Sequence, residues 1–302
     1  MSIFDFLKNK NKINANKTKN YNAELERFLK SIEKNEIVMQ PIKSGKVTKA
    51  DESKIGGLPY LPEDFEWPAY TFTDDGITRP LSFLCQINLS EVKPFDKDNL
   101  LPPSGMLYFF YECEAFKWGF DPEDIGSARV YYFENTDGFA SHKLPEDLAD
   151  EYKMPEIPVK FSSRSSYPKF EELECYSDIE CDFEEYDEML ATLGVNVEDD
   201  PEDHKLLGYA DIIQNEMLTE CERVTRGINC GSPEGYRDSS PEVADEITAS
   251  AKDWTLLLQL YTIETDDFEW MFGDCGMIYF YIKNEDLKER RFEKAWYSVQ
   301  CC

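Results

Sequence analysis

Histidine is scarce in this chain. His142 and His204 are its two imidazoles, and proton transfer of the Ser-His-Asp or Cys-His kind needs one of them held by a carboxylate. His204 lies in D-D-P-E-D-H-K-L-L-G-Y-A-D, with acids beside it and Cys221 and Cys230 downstream. It is a candidate site residue, set against the plainer role of anchoring a loop. T-D-D-F-E-W-M-F-G-D-C-G-M at 265–277 brings Asp266, Asp267, Glu269 and Asp274 close together in sequence. Neighbouring carboxylates suit acid–base work or a hard cation. The spacing departs from a calcium loop, and Asp next to glycine equally serves a tight turn. Gly56–Gly57 has neither the G-x-G-x-x-G pattern nor the G-K-[ST] ending of a phosphate loop, and reads as a backbone turn into Pro59 and Pro62. No catalytic set is complete, and neither a metal nor a cofactor is expected.

Nine cysteines occur at irregular spacing without a C-x-x-C pair, which excludes zinc-ribbon and thioredoxin readings. Free, mostly buried thiols in a reducing cytosol are the expectation. Acids dominate the charge: 61 Asp and Glu against 32 Lys and Arg give −29. Phosphate is repelled by such a body, so nucleic acid is an unexpected partner. Residues 171–203 hold fifteen acids and no Lys or Arg. A face of this kind is ordinarily just solvated, yet its self-repulsion would be relieved by a basic partner protein. Glu184, Glu185, Asp187 and Glu188 are the candidates for that contact. No stretch is apolar enough for a membrane-spanning helix. Residues 1–19 place Ile3, Phe4, Phe6 and Leu7 before their lysines, the reverse of a secretory signal. They read as a flexible, lysine-rich leader on a cytoplasmic protein.

The elements that must position these residues come next. A hydrophobic fraction of 41% supports a packed core over residues 20–302 as a single domain. Leu25, Phe28, Leu29 and Ile32 have helical spacing, which predicts a helix within 20–36 lying on a sheet. Residues 54–68 carry three prolines and two glycines. They read as an ordered loop pinned by Leu58, Leu61, Phe65 and Trp67, with no helix or central strand. Apolar runs at 81–89, 105–111 and 129–134 read as buried strands. Ser177 with Glu180 predicts a capping box and a helix over 178–193, stopped by Gly194. Ser240 before Pro241 predicts another helix to about residue 251.

The chain also resembles itself. L-S-F-L-C-Q-I around Gln86 matches W-T-L-L-L-Q-L around Gln259, and G-M-L-Y-F-F-Y at 105–111 matches G-M-I-Y-F-Y-I at 276–282. A third strand follows each copy, V-Y-Y-F at 130–133 and A-W-Y-S-V-Q at 295–300. This predicts an α+β fold of largely antiparallel sheet. Two pseudo-repeated halves, about 50–165 and 204–302, share one core, with a few peripheral helices and the acidic segment 171–203 between them. A polar residue present in both halves, such as Gln86 or Gln259, leans towards satisfying backbone groups. His204 and Asp274, each in one half only, lean towards a site between the halves.

S-K-I-G-G-L-P-Y-L-P at 53–62, W-P at 67–68, H-K-L-L-G-Y-A-D-I-I-Q at 204–214, G-D-C-G-M-I-Y-F at 273–280 and F-E-K-A-W-Y-S-V-Q-C at 292–301 together resemble the YwqG-like family of bacterial proteins of unknown function. The resemblance covers about 50–302 and implies an α+β fold with no established activity. Its blocks fall on Gly56, Gly57, Trp67, His204, Gly208, Gln214, Gln259 and Asp274, as scaffold or as ligand site. It is also compatible with an immunity-type role as a non-enzymatic acidic binder. The alternative is an enzyme or small-ligand binder using His204, Asp274 and Gln214.

Overall fold

The computed structural model describes residues 23–42, 45–72, 75–196, 203–237 and 240–302, so the leader 1–19 lies outside the described residues. Ten strands form one sheet: β1 (Lys34–Pro41), β2 (Lys54–Ile55), β3 (Ser82–Asn88), β4 (Met106–Tyr111), β5 (Ala128–Phe133), β6 (Ile157–Ser166), β7 (His204–Leu207), β8 (Trp254–Leu260), β9 (Met277–Lys283) and β10 (Trp296–Gln300). Their spatial order is β10-β9-β8-β7-β1-β6-β2-β3-β4-β5. Every neighbouring pair is antiparallel. The fold is therefore α+β with a large antiparallel sheet, as the strand pattern predicts.

The two sides of the central β1–β6 pair match in detail. β3 is bulged between Phe83 and Cys85 where it pairs with β4, and β8 is bulged between Leu256 and Leu258 where it pairs with β9. Gln86 lies opposite Lys54 and Gln259 opposite Lys205. Gly56 and Gly57 have φ of 57° and 71°, and Leu207 and Gly208 have 60° and 74°. The left-handed pair turns the chain out of the sheet on both sides. At Gly56 the need for glycine is absolute, since a Cβ there would sit 2.2 Å from the Pro155 carbonyl oxygen.

Two central strands escape the periodicity. β1 offers only Ile37, Val38 and Met39 between polar residues, and β6 reads I-P-V-K-F-S-S-R-S-S. Their pairing nonetheless runs over eight residues, from Lys34 opposite Ser166 to Pro41 opposite Val159. The second side of the sheet is thus completed by β1, from outside 204–302. Lys54–Ile55 corrects a further expectation, because it is a two-residue central strand inside the stretch read as loop. The prolines and glycines follow it and do not interrupt it. Leu58, expected as an anchor, is exposed, while Leu61 is fully buried.

One interior is shared by strands from both sides. Phe109 meets Phe280 with ring centroids 5.1 Å apart, and Tyr111 meets Tyr297 at 5.4 Å. Each such buried aromatic or aliphatic side chain contributes roughly 1.5–3 kcal/mol. The outer face of β3–β5 is covered by Leu61, Phe65, Trp67, Tyr70 and Phe72. The outer face of β8–β10 is covered by helix α3 (Leu218–Thr225) and the end of α4 (Pro241–Ala251). The predicted start of α4 holds, with Ser240 Oγ accepting from the Val243 N–H.

Helix α1 (residues 23–32) buries Leu25 and Leu29. Its apolar stripe meets Tyr186, Met189 and Leu190 of α2 (Phe183–Thr192), where periodicity alone pointed to the sheet. α2 is shorter than the 178–193 expected. Its capping box is Asp182 with Glu185, and Ser177 instead accepts from the Ile179 N–H in a local turn. Phe183 is exposed, since the box places it on the solvent side of the first turn. A ten-residue helix is marginal alone, so the cap matters. Asp182→Ala should destabilise the protein by about 1 kcal/mol, with Asp182→Asn near wild type. A thermal melt in which Asp182→Ala and wild type coincide would refute the assignment.

Four of the nine cysteines, Cys85, Cys113, Cys221 and Cys230, are buried; Cys175, Cys181 and Cys301 are half-buried, and Cys275 and Cys302 exposed. No disulfide joins them, but the expectation that most are buried is not met.

Candidate functional site

Of the polar residues singled out in the carboxyl-terminal half, Gln259 holds the turn leaving β7, together with charged residues that the sequence did not single out. Lys205 points into the protein at 1% exposure. A lone buried ammonium is prohibitively costly, so carboxylates must meet it. Its Nζ lies 2.7 Å from Asp211 Oδ2 and 3.0 Å from Glu36 Oε2. Arg164 then bridges Glu36 and Asp203, lying 2.7 Å from the latter. Burial works to raise the Glu36 carboxyl, but Lys205 and Arg164 outweigh it and hold the group below the usual range. Burial likewise opposes the Lys205 charge, and Asp211 and Glu36 overcome it. Both stay ionised, which locks the cluster rather than readying it for proton transfer.

Gln259, fully buried, ties the same turn. Its Oε1 accepts from the Asp211 N–H at 2.8 Å and its Nε2 donates to Asp211 Oδ2 at 2.7 Å and to the Asp203 carbonyl at 3.0 Å. The Tyr279 hydroxyl donates to the Asp211 carbonyl at 2.6 Å. On the other side of the sheet Lys54 pairs with Glu156 at 2.7 Å. Gln86 accepts from the Tyr60 N–H at 2.9 Å and donates to the carbonyls of Ala50 and Glu52, and Tyr108 donates to the Tyr60 carbonyl. Lysine, glutamine and tyrosine hold both turns alike. Both glutamines satisfy backbone groups, the role expected of them from the sequence.

His204 begins β7 at 5% exposure. Its Nδ1 accepts from the Tyr261 N–H at 3.1 Å, so the ring is neutral with its proton on Nε2. Burial pushes its pKa down to about 4, against the pull of Asp203. Asp274 is exposed in the turn before β9, where its carbonyl accepts from the Cys302 N–H. Gln214 is exposed, and its N–H donates to Gln300 Oε1 at 3.1 Å. Among the described residues no hydrogen bond or ion pair joins His204, Asp274 and Gln214. Gly56 and Gly57 make the left-handed turn after β2. Trp67 donates from Nε1 to the Leu81 carbonyl at 2.8 Å and packs edge-on to Phe110. On α2, Glu184, Glu185 and Glu188 are exposed and Asp187 half-buried.

Sequence reasoning missed Lys54, Lys205, Glu36 and Glu156. A signal was present: K-I-G-G-L-P-Y and K-L-L-G-Y-A-D each place a lysine six residues before the clamped residue, Tyr60 or Asp211. It missed Glu172 too, a carboxylate inside the acidic stretch but only 1% exposed.

An open cleft of about 620 Å³ lies beside the end of α3, lined by turn residues including Ile228, Asn229 and Ser232. Among the described residues Glu234 is the acid that lines it, and none of the residues selected above does. Among the described residues no group of three or more His, Cys, Asp or Glu is arranged to hold a metal.

The profile of a family described as a domain of unknown function (DUF1963) matches residues 53–301. No curated protein matches the chain.

Proposed function

Because the chain belongs to the DUF1963 family, whose function is unknown, we propose that it is a YwqG-like bacterial cytoplasmic protein that acts by binding, its acidic α2 face receiving a basic partner protein in the manner of an immunity protein. The observation that carries the reading is on α2. Among the described residues none of Glu184, Glu185, Asp187 and Glu188 forms an ion pair, and like charges at these spacings repel one another along a helix. A cationic surface relieves that repulsion and is steered in by the −29 net charge. The same field disfavours nucleic acid, and no described helix is long and apolar enough to cross a membrane. The locked charges at Lys205 fit a scaffold better than a catalyst. The matching sides of the sheet support two pseudo-repeated halves as the unit carrying this surface.

The test is capture from lysate by the tagged protein, repeated with Glu184, Glu185, Asp187 and Glu188 all changed to Lys. The reading expects one strongly basic protein, released by raised salt, with at least tenfold weaker capture by the variant. Capture that survives charge reversal, or only acidic proteins, would overturn it.

A further inference from the structure

The outer edge of β10, at the end of the sheet, is met by a loop from the other side. Residues 112–120 follow β4, and successive carbonyls fasten them. Lys117 accepts from the Tyr111 hydroxyl at 2.6 Å, Trp118 from the Val299 N–H at 3.0 Å, Gly119 from Trp296 Nε1 at 3.0 Å and Phe120 from the Cys230 N–H at 2.7 Å. Gly119 allows the close approach, since a Cβ there would stand 2.3 Å from the Tyr297 carbonyl oxygen. The Glu112 carboxylate holds the Glu114 and Ala115 N–H groups. A loop fastened in this way presents its side chains in fixed positions, which lowers the cost of binding.

Those side chains are aromatic and reach solvent. Trp118 is 37% exposed, and Phe116 and Phe120 are half-buried. The other side of the sheet extends the row. Where the helix Leu89–Val92 lies between β3 and β4, a hairpin over 263–270 lies between β8 and β9. Its last residue, Trp270, is half-buried, and Met271 beyond it is 37% exposed. Ring centroids are 5.7 Å apart from Tyr152 to Trp270, 6.5 Å from Trp270 to Phe116, 5.0 Å from Phe116 to Trp118 and 6.1 Å from Trp118 to Phe120. Tyr152 with Trp270 and Phe116 with Trp118 stand edge to face, at 85° and 80°, so the row is corrugated rather than flat. Contiguous aromatic surface that reaches solvent marks a binding site, and tryptophan and tyrosine are its usual anchors.

Charge decides what the row takes. Glu151 is exposed beside Tyr152, and Asp274 is exposed beside Gly273, over which the Trp118 ring lies 3.6 Å from where a Cβ would stand. Burial raises the Tyr152 hydroxyl to about 12, and Glu151 and Glu114 add to the rise. Among the described residues neither Glu151 nor Asp274 forms an ion pair, whereas the nearby cations are taken: Lys117 by Asp124, Lys153 by Asp150, and Arg79 by Asp75 and Glu114. Rings between carboxylates of this kind favour a ligand that brings apolar rings and positive charge together. A polyproline II segment does so at low entropic cost, because it is extended before it binds. It advances about 3.1 Å per residue, so two residues span one ring-to-ring step. We propose that this aromatic row binds a proline-rich, basic segment of a partner protein, with proline rings against Trp270, Phe116 and Trp118 and cations at Glu151 and Asp274. The row shares no residue with α2 or its packing cluster and is independent of that reading.

Fluorescence anisotropy with a labelled peptide of three Pro-Pro-Arg repeats tests the site on the whole protein. The peptide should bind saturably, quench tryptophan fluorescence and be released by raised salt. A peptide of three Ala-Ala-Arg repeats carries the same charge and should bind about tenfold more weakly. Trp118→Ala leaves the carbonyl that holds Val299, so it should stay folded and lose about tenfold in affinity. Glu151→Gln combined with Asp274→Asn, both at exposed positions, should weaken binding and flatten its salt dependence. Charge reversal on α2 should leave the preference for the proline peptide unchanged, which separates this site from the α2 surface. No binding of the proline peptide, equal binding of the two peptides, or unchanged affinity in either variant would each overturn the proposal. Binding of cellohexaose in place of the peptide would overturn it in favour of a carbohydrate.

Discussion

Lys205→Met should lower the free energy of unfolding by about 3–5 kcal/mol. The loss follows from what remains. Glu36 and Asp211 are 3% and 9% exposed and are left buried without the ammonium that faces both. Arg164 still reaches Glu36, and Gln259 still donates to Asp211, but neither supplies the central charge. Lys54→Met provides the contrast. Its carboxylate partner Glu156 has a side chain 42% exposed and regains water when the lysine is removed, leaving a cost of about 1–2 kcal/mol for the buried end and the lost bond to the Leu58 carbonyl. Chemical denaturation of the two variants checks both values. Equal losses, or a Lys205→Met protein within about 1 kcal/mol of wild type, would mean that the cluster is not the closed charge network drawn here. Adding Glu36→Gln and Asp211→Asn to Lys205→Met should restore part of the loss, because no buried charge is then left unpaired.

The second large effect is a pH dependence centred on His204. Its folded pKa, about 4, lies below the unfolded value of about 6.5. Between those values the unfolded chain binds a proton that the folded chain refuses, so stability rises with pH across the window. The contribution is complete above about pH 6.5 and is lost as pH falls towards 4, a swing of roughly 3 kcal/mol. The buried carboxylates titrate as well, so the comparison needs a matched variant. His204→Asn places an amide oxygen where Nδ1 accepts from the Tyr261 N–H and has no charge to gain. The unfolding free energy of wild type minus that of His204→Asn should fall by this amount from pH 6.5 to pH 4. A difference that stays flat with pH would show that the imidazole is not kept dry and neutral.

His204 also shows why residue types at a suggestive spacing did not identify a site. The acids beside it in sequence promised a polarised imidazole. In the fold Asp203 serves Arg164 and Gln259, Asp211 serves Lys205 and Gln259, and the ring is occupied with a backbone N–H. Asp274 was chosen for lying in one copy only; its carbonyl ties down the chain at Cys302.

The amino-acid order alone determined the buried strands and the self-similarity around Gln86 and Gln259. These rest on hydrophobic runs and short-range turn chemistry, which are local. Tertiary structure decided the rest. β1 and β6 have too little apolar pattern to declare themselves and become central strands because eight residues of each pair with the other. Lysines 54 and 205 look like surface residues until carboxylates brought in by β1 and the approach to β6 make their burial tolerable. The choice of partner for a buried charge is fixed by strand order, and contacts 102 and 169 residues apart leave no trace in a local pattern.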